Sequence, residues 1–107
     1  LTKNASLLGE AGEAPTNFDL KPNYPNPFNP TTRIEFSLIE QSDVTIKIYD
    51  ISGSLVKTLV RDNRPVGNYS VVWNALNNNN QRVSSGVYIY RLETEAFTQT
   101  RRMLLLK

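Results

Sequence analysis

Three groups of side chains in this sequence could do chemistry: carboxylates, aromatic rings and a run of asparagines. The carboxylates are Glu10, Glu13, Asp19, Glu35, Glu40, Asp43, Asp50, Asp62, Glu93 and Glu95. Glycoside hydrolysis needs two of them facing each other about 5–10 Å apart in a cleft. Here they fall in the N-terminal segment, at the ends of apolar runs or on polar faces, and no pair converges. Asp50, Asp62 and Asn77 to Asn80 offer oxygen ligands for calcium. The D-x-D-x-D-G loop is missing, however, and asparagine runs serve as turns because Asn tolerates left-handed backbone. Tyr49, Tyr69, Trp73, Tyr88 and Tyr90 could stack on a sugar. All but Tyr49 are in phase with aliphatic residues of their own segment, which is the pattern of a core. The chain has no histidine and no cysteine. That removes the commonest general base, any Ser-His-Asp triad, thiolate metal sites and disulfides. The expectation is a chain that is not an enzyme, with no catalytic residues, no cofactor and no metal.

The elements that carry these residues read as strands. "TTRIEFSL" and "DVTIKIYD" alternate, placing Ile34, Phe36, Leu38, Val44, Ile46 and Ile48 on one side. "YSVVWNAL" and "VYIYRLET" add Val71, Trp73, Tyr88, Tyr90 and Leu92. Period two with β-branched residues argues for half-buried strands. "LVKTLVRD" is ambiguous, since Leu55, Val56, Leu59 and Val60 would also line a helix; its shortness and its link through "ISGS" favour a strand. "NFDL" supplies a short first strand, "NRPVGN" breaks the chain, and "NNNNQRVSSG" is a polar connection. The result is an all-β, immunoglobulin-like antiparallel β-sandwich of about seven strands, because strands this short need two facing sheets to bury an apolar face.

The 107 residues fit one domain, with 39% hydrophobic and 21% charged residues, as in ordinary globular proteins. Residues 1–17 read as a flexible linker from an upstream cargo domain, and 18–107 as the folded domain. A net charge of +2, from scattered basic residues, does not indicate nucleic acid. No stretch approaches the ~20 apolar residues that span a bilayer.

Two stretches stand apart. "YPNPFNP" packs Tyr24, Pro25, Asn26, Pro27, Phe28, Asn29 and Pro30 together. Three missing N–H donors exclude a helix or a central strand and imply a stiff, polyproline-like collar anchored by Tyr24 and Phe28. "RRMLLLK" joins two arginines, four apolar residues and a lysine. It is either a last strand buried on both faces with solvated basic ends, or an address tag read by a receptor as an extended peptide.

In order and spacing, "YPNPFNPTTRIEFSL", "VTIKIYDISGSLVKTL", "GNYSVVWNA", "SSGVYIYRL" and "RRMLLLK" resemble the C-terminal sorting domain of the type IX (Por) secretion system, type A. They are also similar to the immunoglobulin-like domain of the flagellar hook-capping protein. The resemblance implies a sorting domain of a secreted or cell-surface protein of a Gram-negative bacterium. Such a protein crosses the periplasm, and the outer-membrane type IX translocon then carries it out. In many members of that family a surface sortase-like peptidase later removes the domain and anchors the cargo. The sorting signal would comprise Gly86, Tyr88, Tyr90, Arg101, Arg102, Leu104, Leu105, Leu106 and Lys107, with residues 24–30 as the N-terminal family motif. Many relatives have Trp-Asp-Gly at Trp73-Asn74-Ala75 and a glycine near Asn80, so this chain departs from the pattern at two turns. The competing function is a carbohydrate-binding or spacer module of a secreted enzyme.

Overall fold

A computed structural model describes residues 14–107. Most of the linker expected over residues 1–17 therefore lies outside the described residues. Seven strands follow: β1 (Asp19–Leu20), β2 (Thr32–Leu38), β3 (Ser42–Asp50), β4 (Leu55–Arg64), β5 (Gly67–Trp73), β6 (Gly86–Glu93) and β7 (Thr98–Leu105). They form two antiparallel sheets, ordered β1-β2-β5 and β4-β3-β6-β7. This is the expected immunoglobulin-like sandwich.

The inward residues of each strand meet between the sheets. Ile34, Phe36 and Leu38 of β2 face Val44, Ile46 and Ile48 of β3 and Tyr88, Tyr90 and Leu92 of β6, all buried. Trp73 closes one end of the core, 5.8 Å from the Phe28 ring and 5.4 Å from Tyr88. Its indole N–H donates to the Leu76 carbonyl at 2.9 Å, so the polar edge of the ring is satisfied. Val71 is only half-buried, because β5 is an edge strand of the smaller sheet.

The helix-like spacing in β4 has a local cause. Its pairing with β3 shifts register between Ile46 and Lys47 and again between Ile48 and Tyr49. Each bulge inserts a residue and resets which side chains face inward. Val60 is thereby buried, with Val56 and Leu59 packed against the core from the same strand. β4 also runs on through Asn63 and Arg64, so the break expected at "NRPVGN" is narrower than its composition suggests.

The β3–β4 turn is tied by one carboxylate. Asp50 Oδ1 accepts from the N–H groups of Ser52 and Ser54, each at 3.0 Å, and from the Ser52 hydroxyl at 2.7 Å. The Ser52 hydroxyl and the Ser54 amide hold its pKa below the ordinary carboxylate value. Gly53 sits at φ 91°, where a side chain would be strained.

Candidate functional site

The last strand is read most clearly from its alternation. Met103 and Leu105 are buried in the core, whereas Leu104 is half-buried on the opposite face and Leu106 is 48% exposed. The apolar run is therefore not buried on both faces. Each residue of β7 takes the face of its β6 partner: Met103 pairs with Tyr88 inside, and Leu104 with Val87 outside.

By the same alternation Gln99 and Arg101 point inward, toward the rim of the sandwich. There they meet the outer edge of β1. Gln99 Oε1 accepts from the Leu20 N–H at 3.2 Å, and Arg101 Nε donates to the Leu20 carbonyl at 2.5 Å. Two side chains thus satisfy one residue of edge backbone across the gap between the sheets. Arg101 is half-buried and structurally employed, contrary to the expectation of a solvated basic end. Arg102 and Lys107 are exposed.

The proline run continues this seam. Asn26 Oδ1 accepts from the Leu104 N–H at 3.0 Å. Phe28 N–H donates to the Leu104 carbonyl at 3.0 Å, and Leu106 N–H donates to the Phe28 carbonyl at 2.9 Å. Phe28 and Leu105 make a parallel bridge, with Phe28 buried. On its other side the segment follows β2: Tyr24 and Arg33 exchange two backbone bonds, at 2.9 and 2.8 Å. Asn23 and Thr32, both buried, converge on the Pro25 carbonyl. Residues 20–28 therefore close the side of the sandwich between β2 and β7. Tyr24 does not anchor the segment through its ring, which is 79% exposed; its backbone does so. The prolines fit because the pairing uses the N–H groups of Tyr24 and Phe28 and needs none from the rings.

Tyr90, expected in the signal, is a core residue. Its hydroxyl donates to the Lys21 carbonyl at 2.8 Å, tying β6 to the same seam. Burial raises its pKa, opposed by the Asn23 N–H and by Arg101. The structure thus brings Tyr90, Arg101, Leu104 and Leu105 together with Asn26 and Phe28, the two stretches that stood apart in the sequence. It leaves Arg102, Leu104, Leu106 and Lys107 with surface to present. Gln99 and Asn23 belong to this seam and carried no sequence signal, since the pairing that gives them partners is long-range.

The family model of the FlgD Ig-like domain matches residues 22–96, more than half of the chain. The chain belongs to the FlgD Ig-like domain family. Among solved structures, dimeric latent PorU from Porphyromonas gingivalis is similar with a TM-score of 0.69 and 19% identity, over 89% of this chain and 10% of that one. PorZ, a type IX secretion component of the same organism, is similar with a TM-score of 0.56 and 24% identity, over 84% of this chain and 11% of that one. The chain thus spans about a tenth of the length of each of these two proteins. Among curated proteins none matches. The FlgD Ig-like match ends at Ala96, before β7 begins.

Within this FlgD Ig-like domain, Gly86 and Tyr88 act on local structure. Tyr88 donates its hydroxyl to the Ser84 carbonyl at 2.6 Å, and Tyr69 does the same to Pro65 at 2.6 Å. These are tyrosine corners, each set two residues after a glycine that opens a strand. Gly86 has φ 150° at this corner. Ala75 and Asn80, where the chain departs from the glycine-bearing pattern, are its non-glycine residues with positive φ among the described ones, at 65° and 61°. Asn77 holds the second turn by accepting from the N–H groups of Asn79 and Gln81 at 2.9 and 3.0 Å. Asn78 then bonds Val56 and Thr58, covering part of the β4 edge. Asp50 and the other carboxylates form no group of three or more that could hold a metal ion among the described residues. No helix there is long and apolar enough to cross a membrane.

Proposed function

We propose that this domain is a sorting domain that directs an exported cargo across the outer membrane through type IX secretion machinery, and that it performs no catalysis of its own. The observation that carries this reading is the last strand. β7 lies beyond the FlgD Ig-like match, exposes Arg102 and leads into the exposed Leu106 and Lys107. Likeness in fold to PorU and to PorZ, the latter described as an essential surface component of that system, supports the same reading. The cargo would be secreted or held at the cell surface, and the translocon and a surface sortase-like peptidase would be the partners.

The structure favours reading of the strand from its face rather than its edge. Asn26 and Phe28 already occupy the edge at Leu104 to Leu106. Edge pairing there would require displacing a buried phenylalanine. A sugar platform is disfavoured, because the outward ring of Tyr49 is covered by Arg91 at 5.1 Å.

The test is a fusion of the 107-residue chain to a periplasmic reporter, expressed in a type IX-competent host and in an isogenic host lacking the translocon. Reporter outside the competent cells only is the expected result. Reporter held in the periplasm of both hosts overturns the reading.

A further inference from the structure

The two outer faces of the sandwich differ in chemistry. On the smaller sheet, Arg33, Glu35, Ser70 and Val72 present a mixed polar surface. On the larger sheet, cross-strand pairing sets Leu55 beside Tyr49, Tyr49 beside Ile89 and Ile89 beside Arg102 in one continuous row. Val87 and Leu104 form the next pair. Partners directly opposite in an antiparallel ladder share a face, so these six side chains are neighbours. Leu55 is 48% and Val87 39% exposed.

Cations edge this apolar row. Lys47, Arg61, Arg91 and Arg102 share the face with the carboxylates Asp43 and Glu93. Both carboxylates are engaged: Asp43 accepts from Asn63 at 2.9 Å, and Glu93 pairs with Arg91 at 3.2 Å. Beside Arg102 a shallow depression is lined by Pro22, Ile89 and Thr100. It lies between the Leu20 clamp and the Phe28 pairing, where Pro22 has no N–H to offer β7.

We propose that this face, centred on Ile89 with Arg102 at its edge, docks a protein partner presenting an apolar patch edged with carboxylates. The inference rests on the sorting reading and names the surface through which the last strand is read. An apolar centre with a charged rim is the anatomy of a protein interface. Charge complementarity fixes the sign of the partner: Glu93 is paired with Arg91, Asp43 is hydrogen-bonded by the neutral Asn63 amide, and Lys47, Arg61 and Arg102 have no acidic partner among the described residues, so the face stays net positive. Adhesion to an anionic bilayer relies on clustered basic residues, whereas the cations of this face are interspersed with Asp43 and Glu93.

The experiment uses the reporter fusion of the whole chain with Arg102→Glu, with Leu104→Ser, and with Val72→Ser on the opposite sheet as control. Unfolding midpoints identify variants that keep the fold. We expect Arg102→Glu and Leu104→Ser to lower the extracellular fraction about tenfold or more with the fold intact, as for loss of a central interface contact. Val72→Ser should be exported normally. Folded outer-face variants exported like the wild type overturn the proposal. So does binding of the purified chain to phosphatidylglycerol vesicles that Arg102→Glu abolishes, because the occupant is then a membrane. If the wild-type fusion itself stays in the periplasm, the sorting reading fails, and a photo-crosslinker at Val87 decides the face separately. A protein adduct at Val87 that Arg102→Glu removes, with none at Val72, upholds the docking face; no adduct at Val87 overturns it.

Discussion

Phe28 and Leu104 are joined through their backbones, the Phe28 N–H donating to the Leu104 carbonyl at 3.0 Å across more than seventy residues of chain. The proline run is thereby part of the last strand's support. Cutting either one exposes the edge of the other, an arrangement that also shields an edge strand from unwanted pairing.

Amide exchange should report this seam directly. The Leu104 and Leu106 N–H groups, bonded to Asn26 and Phe28, are expected to be protected, although Leu106 lies beyond the end of β7. Asn26→Ala should speed exchange at Leu104 and cost about 1 kcal/mol, the net worth of one hydrogen bond. Unchanged protection at Leu104 in that variant would contradict the seam.

Tyr90 gives the fold an alkaline limit. Its pKa is raised above the ordinary value of 10.0, chiefly by burial, so the protonated form is favoured in the folded state. Its contribution is complete below pH 10 and is lost as pH rises through the folded value. Tyr90→Phe should cost about 1–2 kcal/mol at neutral pH, because the Lys21 carbonyl loses its donor. Denaturant titrations of the variant at rising pH should show a shallower alkaline decline than the wild type.

The left-handed positions make a paired test. Asn80→Gly should be neutral or stabilise by up to about 1 kcal/mol, and Asn80→Val should destabilise by about 1–2 kcal/mol, because only glycine and to a lesser degree Asn adopt this backbone freely. Ala75→Gly should come out near neutral: relief of strain is offset by loss of a buried methyl worth about 0.8 kcal/mol. Shifts in the urea midpoint at constant slope measure all three.

How much of this was legible in the sequence varied with the range of the interaction. Period two placed Ile34, Phe36, Ile46, Ile48, Tyr90 and Leu92 in the core because alternation is a local property of each strand. β4 was harder, since two bulges give Val56, Leu59 and Val60 a helix-like spacing. The tail's burial pattern is not a local property. Four apolar residues in a row hide an alternation that only the β6 partners reveal, and Arg101 looks solvated until Leu20 is placed beside it. Phe28 was expected as an anchor, but nothing local indicates that it pairs with Leu104. The left-handed turns at Ala75 and Asn80 were foreshadowed by the glycines that many relatives carry there.

The most direct measurement compares charge reversal at two adjacent arginines that point in opposite directions. Arg101→Glu should lower the unfolding midpoint, since it breaks the contact with Leu20 and buries a carboxylate at the rim. Arg102→Glu should leave the midpoint unchanged, because the side chain is exposed and has no acidic partner among the described residues. The decisive reading is the extracellular fraction of a reporter carrying Arg102→Glu in a type IX-competent host. Retention in the periplasm with the fold intact is the predicted result; export at the wild-type level would contradict the assignment of the last strand's outer face as the address.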